Sequence, residues 1–343
     1  VFDKAYYETQ KVALHLGAKA ARVDAAGSFV LDGNGRQYGY SKLLIATGGS
    51  SRPMPGGEGL VHYYRTAQDY LKLAESFSKV QDYLIIGGGF IGAELAAGIL
   101  HQGKKVSILM RGTQLLSNVF PADLADFVTD FYRQKGMAFI TGEDPDSFHR
   151  NGERVEVRTK SGKTFDAGWV TAGIGLELEH QLAQSAGLKT GNGIVVDEFL
   201  ETSHPGVFAA GDIAYFPSRV LGESMRLEHR DNAEAQGRFA GANMAGARKP
   251  YDYLPFFYSD LFELGFEAVG KLDSRMETRA FWDDPFRKGI VAYLESDRVK
   301  GLLLWNKWDN VDWARKIIAQ QTPAGDAAQL ERLLREKTTV SGG

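Results

Sequence analysis

Short apolar runs alternate with longer amphipathic stretches through the first two thirds of the chain. The apolar runs have the length of buried parallel strands, and they cover residues 42–46, 83–86, 105–110 and 207–210. The longer stretches have helical character and cover residues 67–78, 93–100, 121–135 and 228–244. This alternation predicts an α/β fold with parallel sheets.

Further strands are predicted on both sides of these units. Residues 12–16, 22–23 and 28–31 are predicted strands near the start, and residues 154–159 and 164–166 form a predicted hairpin around Ser161-Gly162. From Pro250 onward aromatic residues become frequent, and strands are predicted at 268–272, 289–295 and 300–305. We therefore expect a separate C-terminal domain.

A glycine-rich turn separates the predicted strand 83–86 from the helix that follows it. Gly87, Gly89 and Gly92 have the G-x-G-x-x-G spacing of dinucleotide-binding folds. The first glycine of that motif permits a tight turn, the second lets the backbone approach a pyrophosphate, and the third allows close packing of helix and strand. The helix N-terminus then binds phosphate through its free amides. The alternative is a glycine-rich turn without a ligand.

Composition and charge exclude several functional classes. The net charge of −3 over 343 residues provides no basic face for nucleic acid or an anionic membrane. The chain has no cysteine, which excludes disulfides, thiolate metal sites, iron–sulfur ligation and a redox-active disulfide within these residues. No apolar run approaches the roughly 18 residues of a membrane span, and we expect a cytoplasmic protein.

The end of the predicted strand 105–110 bears on the choice of coenzyme. NAD-binding units usually end this strand in Asp or Glu, which binds the ribose 2′-hydroxyl. Met110 occupies that place and Arg111 follows, so a 2′-phosphate meets no carboxylate there and can pair with the guanidinium. We expect NADPH to be preferred over NADH. The alternative is that Arg111 is a solvated loop residue and that NAD is the coenzyme.

Four glycine-containing segments occur in order, at residues 43–49, 87–94, 170–175 and 206–212. With them the chain resembles the two-dinucleotide-binding flavoprotein reductases, the family related to glutathione reductase, over essentially its whole length. The resemblance implies two Rossmann-like dinucleotide-binding domains, the first incomplete at its N-terminus, and a C-terminal α+β interface domain. The implied ranges are 1–67 with 176–247 for the FAD-binding domain, 68–175 for the NAD(P)H-binding domain and 248–343 for the C-terminal domain.

The resemblance also implies contacts to both cofactors. The implied FAD contacts are Ala46, Thr47, Gly48, Arg52, Gly211, Asp212, Glu228 and His229. The implied NAD(P)H contacts are Gly87, Gly89, Phe90, Ile91, Gly92, Arg111 and Gly173. As alternatives, Thr47-Gly48 is an ordinary strand-end turn and Asp212 is a helix N-cap or a turn residue.

Four catalytic residues are implied by the same resemblance. Glu94 is expected near the nicotinamide and the flavin edge, and Glu267 is expected to accept a hydrogen bond from the carboxamide. His229 and Tyr258 are expected on the far side of the flavin, where aromatic groups exclude water. The alternatives are a helix-dipole partner for Glu94, a structural role for His229 and a core position for Tyr258.

The last third of the chain narrows the resemblance. Residues 251–259 resemble monodehydroascorbate reductase, and residues 265–270, 303–306 and 227–233 resemble apoptosis-inducing factor. We therefore expect a flavoprotein that passes a hydride from NAD(P)H to FAD and then single electrons to an acceptor. The expected acceptor is a ferredoxin- or rubredoxin-like protein or a quinone-like small molecule. Disulfide reductases carry a His-Pro pair in the C-terminal domain, and no such pair follows residue 205.

Two other functions and two arrangements of the chain stay open. The alternatives in function are a redox sensor like apoptosis-inducing factor, with slow turnover, and an NAD(P)H oxidase, which usually uses a catalytic cysteine. The family begins with its own G-x-G-x-x-G turn for the ADP half of FAD, and no such segment precedes Val12. We expect the sequence to be part of a longer enzyme that forms a homodimer. The alternative is a short module that binds only NAD(P).

Overall fold

The computed structural model describes residues 3–324 and 327–335. The helices are α1 (Lys4–Thr9), α2 (Ala67–Ser76), α3 (Phe90–His101), α4 (Ala122–Gln134), α5 (Gln181–Ser185), α6 (Arg230–Met244), α7 (Val311–Ala319) and α8 (Ala327–Arg335). None of these described helices is both long and apolar enough to cross a lipid bilayer.

The strands of the first half are β1 (Ala20–Asp24), β2 (Phe29–Asp32), β3 (Gln37–Gly39), β4 (Leu43–Ile45), β5 (Gly49–Ser51), β6 (Asp82–Ile86), β7 (Lys105–Met110), β8 (Ala138–Thr141), β9 (Pro145–Asn151), β10 (Arg154–Thr159), β11 (Thr164–Ala167) and β12 (Trp169–Ala172). Those of the second half are β13 (Leu176–Leu178), β14 (Thr190–Gly191), β15 (Gly193–Val195), β16 (Val207–Ala209), β17 (Ala214–Ser218), β18 (Glu223–Met225), β19 (Phe256–Leu261), β20 (Leu264–Gly270), β21 (Glu277–Asp284), β22 (Lys288–Glu295) and β23 (Arg298–Trp305).

A four-stranded parallel sheet forms the centre of the molecule, in the order β12-β6-β7-β8. Its strands are buried on both faces, since Ile85 and Ile108 pack towards α3 and α4 while Leu84 and Leu109 pack towards β9–β11. Burial on both faces explains why these strands are continuous apolar runs in the sequence. The expected strand at 105–110 and the expected helix at 121–135 are found with at most one residue of difference at each end.

A second unit is assembled from two distant parts of the chain. Strand β4 pairs in parallel with β16, from Leu43 opposite Val207 to Ile45 opposite Ala209. Further strands beside this pair form the sheets β1-β2-β3 and β14-β15-β17-β18. The expected strand at 12–16 is wrong. That segment is irregular, its apolar side chains Val12, Leu14 and Leu16 are exposed, and no described strand pairs with it.

The C-terminal part is a five-stranded antiparallel sheet in the order β19-β20-β23-β22-β21. One face, which includes Phe266 and Trp305, shares a single core with α3 and α4. The opposite face, which includes Val269 and Leu302, is covered by α7. The sheet is thereby fixed against the helices of the central unit, and β19 lies next to α3. Strands β19 and β21 and helices α7 and α8 of this part were not predicted from the sequence.

Candidate functional site

The glycine turn between β6 and α3 has the geometry of an anion-binding loop. Gly87 has φ +111°, and a Cβ there would lie 2.5 Å from the carbonyl oxygen of Gly173. A Cβ on Gly92 would lie 2.0 Å from the Gly87 oxygen, so helix and strand meet at that point. Gly89 instead faces open space, because no described atom outside its own turn lies within 4 Å of its Cβ position. The α3 N-terminus is therefore accessible to a ligand.

A cavity of about 630 Å³ extends from this turn along the carboxyl ends of the parallel strands. Phe90, Met110 and Ile174 line it together with the three glycines of the turn, 87–89. The end of a parallel sheet at a glycine turn is where dinucleotides bind in doubly wound folds. The open backbone amides can bind a polar pyrophosphate, and the wall of the cavity is apolar. The cavity therefore fits a pyridine nucleotide.

The far end of this cavity carries charged groups that the sequence analysis only partly identified. Arg111 lies there as expected, but its Nε donates to Asp144 Oδ1 at 2.9 Å. Asp144 Oδ2 accepts a second bond, from Lys160 Nζ at 2.6 Å. These two cations lower the pKa of Asp144. Asp144 was recognisable in principle, because it follows the end of β8, the strand next to β7 in the sheet.

Glu143, the buried neighbour of Asp144, anchors the hairpin of β10 and β11. Glu143 accepts from Lys163 at 2.7 Å and from Ser161 Oγ at 2.7 Å. Hydrogen bonds from Lys163, Thr159 and Ser161 lower the pKa of Glu143 to about 2. The turn between β10 and β11 is thus held against the cavity by two adjacent carboxylates.

The expected flavin contacts at the ends of β4 and β16 come together although they are far apart in sequence. Gly48 has φ +60°, and its Cβ position lies 3.9 Å from Asp212 Oδ2. Asp212 follows Gly211 in a short 3-10 turn, and its carboxylate pairs with Arg65 at 2.7 Å. Ala46 and Thr47 are exposed beside this group. The parallel pairing of β4 and β16 explains the arrangement, because it brings the carboxyl ends of both strands to the same edge of the sheet.

Arg52 lies apart from the other expected flavin contacts at the ends of β4 and β16. Strand β5 pairs with β13 and carries the chain away from β4, so Arg52 lines the cavity at the glycine turn. Its backbone N–H donates to Gly175 at 2.9 Å. The structure therefore places Arg52 with Gly87 and Arg111 rather than with Thr47 and Asp212.

A junction cavity of about 720 Å³ lies where three parts of the chain meet. Its lining includes Gly89, Phe90, Ile91 and Glu94 from the central unit, Gly173 and Gly175 after β12, Glu228 and His229 before α6, and Phe257 and Tyr258 from β19. Three of the four expected catalytic residues therefore share one cavity, and this cavity continues from the glycine turn.

Glu94 projects into the junction cavity from α3, which begins at Phe90, so Glu94 is one turn inside the helix. Its Oε1 accepts a hydrogen bond from Ser259 Oγ at 2.6 Å. Although the side chain is exposed to the cavity, desolvation by the cleft walls raises the pKa of Glu94 above its ordinary value. Ser259 is buried and was not identified from the sequence, because its role depends on the packing of β19 against α3.

His229 occupies the N-cap position of α6, just before the helix, rather than a place within it. Its ring stacks on Phe257 with a centroid distance of 4.3 Å and an interplanar angle of 4°. Phe257 in turn contacts Phe90 edge-on at 5.2 Å. Burial lowers the pKa of His229 to about 4, against the opposing carboxylates of Asp212 and Asp231. The imidazole of His229 is therefore neutral at physiological pH. Tyr258 is 57% exposed and lies on the rim of the same cavity.

Glu267 is not part of this cavity. It is paired with Tyr258 across β19 and β20, on the opposite face of the sheet from Phe266. Burial raises the pKa of Glu267, and the backbone amides of Asn310 and Asp309, just before α7, partly offset this rise. Its Oε2 is buried and has no hydrogen-bond partner among the described residues. The role of Glu267 towards a carboxamide stays a prediction.

Family models match the chain in two consecutive parts. Residues 4–237 match the model described as "Pyridine nucleotide-disulphide oxidoreductase". The chain belongs to this family of oxidoreductases. Residues 240–285 and 281–320 match the C-terminal domain of apoptosis-inducing factor. Members of the family bind FAD and NAD(P)H, and the resemblance and the fold expected from the sequence are confirmed.

Individual relatives come from several branches of the family. The chain is 32% identical to apoptosis-inducing factor 1, mitochondrial, of Dictyostelium discoideum, covering 89% of this chain and 62% of that protein. It is 30% identical to putidaredoxin reductase of Pseudomonas putida, covering 92% and 77%. Monodehydroascorbate reductase 3 of Arabidopsis thaliana is 32% identical, covering 78% and 64%. The chain thus spans less than two thirds of two of these relatives.

Solved structures agree with this assignment. The covalent putidaredoxin reductase–putidaredoxin complex superposes with a TM-score of 0.89 at 28% identity, covering 99% of this chain and 85% of that one. The ferredoxin reductase for the CYP199A2 system of Rhodopseudomonas palustris gives a TM-score of 0.87 at 27% identity, covering 95% and 83%.

Proposed function

We propose that this chain carries the pyridine-nucleotide site and part of the flavin site of an FAD-dependent NAD(P)H oxidoreductase. In this proposal a hydride passes from NAD(P)H to FAD, and single electrons then pass to an acceptor. The observation that carries it is the junction cavity, where the end of the glycine turn, Glu94 and the His229–Phe257 stack meet. FAD supplies the step between two-electron and one-electron chemistry when it is bound.

The proposed domain limits follow from this arrangement. Residues 1–67 with 176–247 are assigned to FAD binding, because β4 in the first range pairs with β16 in the second. Residues 68–175 are assigned to NAD(P)H binding, and residues 248–343 to the C-terminal domain. Residues 1–2, 325–326 and 336–343 of these ranges lie outside the described part of the chain.

The side chains in the junction cavity are assigned separate roles. Glu94, hydrogen-bonded to Ser259, orients the nicotinamide and can hold a proton there, since its pKa is raised. His229 stays neutral and, stacked on Phe257, gives the flavin ring a flat wall that excludes water. Gly48 and Asp212 bind the flavin nucleotide, because a side chain at Gly48 would fill the space beside the carboxylate.

We favour NADPH as the reductant. The buried Met110 at the end of β7 offers no acceptor for a ribose 2′-hydroxyl, and Arg111 lies beside the cavity with an exposed guanidinium. NADH is the alternative, with Asp144 accepting the 2′-hydroxyl. The acceptor of electrons is proposed to be a ferredoxin- or rubredoxin-like protein or a quinone-like small molecule. A cytoplasmic location and a homodimer stay predictions from the sequence.

The test is a visible spectrum of the protein after incubation with FAD and removal of the excess. Bound flavin gives bands near about 370 and 450 nm. Under anaerobic conditions, NADPH is expected to bleach the longer-wavelength band, and ferricyanide, a one-electron acceptor, is expected to restore it. A protein that holds no flavin, or holds flavin that neither NADPH nor NADH reduces, would overturn the proposal.

A second function is favoured by the C-terminal match. Because residues 240–285 and 281–320 match the C-terminal domain of apoptosis-inducing factor, we propose a redox sensor with slow turnover as the second candidate. The lifetime in air of the NADPH-reduced protein separates the two. Reoxidation within seconds supports the reductase, and a reduced form that persists for minutes with a changed oligomeric state supports the sensor.

A further inference from the structure

The first turn of α6 carries a carboxylate that connects two other parts of the chain. Asp231 lines the junction cavity two residues after His229. Its Oδ1 accepts a hydrogen bond from the Tyr253 hydroxyl at 2.8 Å, and its Oδ2 accepts one from the Phe256 backbone N–H at 3.1 Å. The side chain therefore binds the segment that leads into β19, and it joins the start of α6 to the start of that strand.

The two ring side chains of the junction cavity are carried by these same two starts. His229 directly precedes α6, and Phe257 follows Phe256 in β19. Each ring is thus within two residues of a backbone segment that Asp231 holds. A single pair of stacked rings is a weak contact, so its near-parallel geometry depends on the spacing of the two backbones that carry it.

A cation from α7 binds the same carboxylate. Arg315 donates from Nη2 to Asp231 Oδ2 at 3.2 Å and also to the Tyr253 hydroxyl. Its Nε donates to the Leu254 carbonyl oxygen at 2.8 Å. The guanidinium also lies over the Tyr253 ring, 4.4 Å from its centroid, and over the Phe256 ring at 5.5 Å. Helix α7 is thereby connected to both segments that carry the stacked rings.

The ion pair between Arg315 and Asp231 lies largely out of solvent, since only 21% and 23% of the two side chains are exposed. In such surroundings the loss of either partner leaves a charge without its counterpart. Arg315 also pairs with Asp312, but that carboxylate is 88% exposed, and surface pairs of this kind contribute little. The pair with Asp231 therefore has the burial and the geometry needed to fix the two segments, whereas the pair with Asp312 does not.

We propose that Asp231 and Arg315 are positioning residues of the proposed redox site, which fix the His229–Phe257 stack together with the Tyr253 hydroxyl. The inference rests on the proposed function only in taking the junction cavity as that site. It gives the C-terminal part a role there beyond packing, because α7 sets the geometry of the stack through one side chain. The positioning residues act through the two rings.

Nuclear magnetic resonance of the full chain with isotope-labelled histidine, without added flavin, tests the positioning. The ring protons of His229 are expected upfield of those of the exposed His149, because His229 lies against the face of Phe257. The His229 signal is assigned by its absence from His229→Phe. Arg315→Gln and Asp231→Asn are each expected to move it downfield, towards the His149 position. Arg315→Lys restores the charge but not the planar set of donors, and its signal is expected to lie in between.

Lys316→Gln and Asp312→Asn are the matched controls. Each makes the same chemical change on α7, beside Arg315 or at its surface partner, and neither side chain lines the junction cavity. Both are expected to leave the His229 signal in place. Unfolding in urea shows which variants are folded. If Arg315→Gln is not, Tyr253→Phe removes only the shared hydroxyl and is expected to give a smaller downfield shift.

The effect on the reaction is measured in the FAD-loaded protein. Arg315→Gln and Asp231→Asn are expected to slow flavin reduction at saturating NADPH about tenfold, because a displaced wall misaligns the reactants. The NADPH concentration that gives half of the maximal rate is expected to stay nearly the same, since neither residue lines the cavity at the glycine turn.

Three results would overturn the positioning role. The first is a His229 signal that no folded variant of the network moves, and the second is an equal movement in Lys316→Gln. The third is unchanged flavin reduction in variants whose His229 signal has moved. A protein in which the variants move the signal but which holds no reducible flavin would refute the proposed function and leave the connection between α7 and the stack standing.

Discussion

The glycine-turn cavity and the junction cavity adjoin each other but are built in different ways. The glycine turn is formed by a continuous stretch of chain, β6 to α3, whose spacing alone dictates its geometry. The junction cavity takes Glu94, His229 and Phe257 from three segments that meet only because β19 packs on α3 and α6. A local motif therefore identifies the proposed coenzyme site, whereas the proposed reactive site depends on tertiary packing.

The largest effect is expected from a methyl group in the glycine turn. Gly92→Ala places a Cβ 2.0 Å from the Gly87 oxygen, which forces strand and helix apart. We expect a loss of about 3 kcal/mol of unfolding free energy and loss of nucleotide binding. Urea unfolding and calorimetric nucleotide titration measure both quantities.

Gly98→Ala is the control for this substitution, because it lies in the same helix and its Cβ would meet no described atom within 4 Å. It is expected to be neutral or slightly stabilising, since alanine favours the helix. Equal losses from the two substitutions would contradict the packing role of Gly92.

In the junction cavity, Glu94→Gln is expected to slow NADPH-dependent flavin reduction about tenfold, equivalent to ~1.4 kcal/mol in the barrier, without a change in fold. The amide still accepts from Ser259 but cannot take up a proton. Stopped-flow absorbance of the FAD-loaded protein measures the rate. Glu234→Gln removes a carboxylate that lines the same cavity but pairs with Arg230 at the surface, and an equal slowing by that variant would contradict the assignment.

The neutral state of His229 makes a smaller, pH-dependent contribution to stability. Its folded pKa of about 4 lies below the ordinary value of 6.5. Between these values the unfolded chain binds a proton that the folded protein does not, so this stability is complete above about pH 6.5 and is lost as the pH falls towards 4. We expect the unmodified protein to lose about 1 kcal/mol more than His229→Phe between pH 7 and pH 5.5.

Unfolding in urea at the two pH values measures the difference. His149→Gln, on an exposed strand, is the control and is expected to follow the unmodified protein. If His229→Phe shows the same acid sensitivity as the unmodified protein, the imidazole is not held neutral by burial.

The smallest effect is expected at Glu267. Because its carboxyl lies on the opposite face of the sheet from Phe266 and burial raises its pKa, Glu267→Gln should change unfolding free energy by less than about 0.5 kcal/mol. The rate of flavin reduction should not change. A tenfold slower reduction would show that Glu267 reaches the carboxamide after all, as the family resemblance implied.

The elements and turns that depend on a local sequence pattern were predicted well. Strand β7, helix α4 and the glycine turn follow from periodicity and spacing. The family resemblance placed Glu94 and His229 around one flavin–nicotinamide stack, and both line the junction cavity, although their roles stay predictions. The rest depends on pairing between distant segments. Arg52 lies beside the glycine turn because β5 pairs with β13, and Glu267 lies outside the junction cavity although its cross-strand partner Tyr258 lines it.

Residues that the sequence analysis missed have the same origin. Asp144 and Lys160 meet Arg111 only when the β10–β11 turn folds against the end of β8, and Ser259 meets Glu94 only across the α3–β19 contact. The expected strand at 12–16 failed for the opposite reason, because its alternating pattern finds no partner strand.

A crystal structure of the FAD-loaded protein with NADP⁺ tests the proposed arrangement of both regions in one experiment, since one ligand must then occupy both of them. We expect the pyrophosphate on the amides that follow Gly87, the nicotinamide between Glu94 and the His229–Phe257 stack, and the 2′-phosphate against Arg111. A nicotinamide ring bound outside the junction cavity would refute the proposed hydride-transfer site.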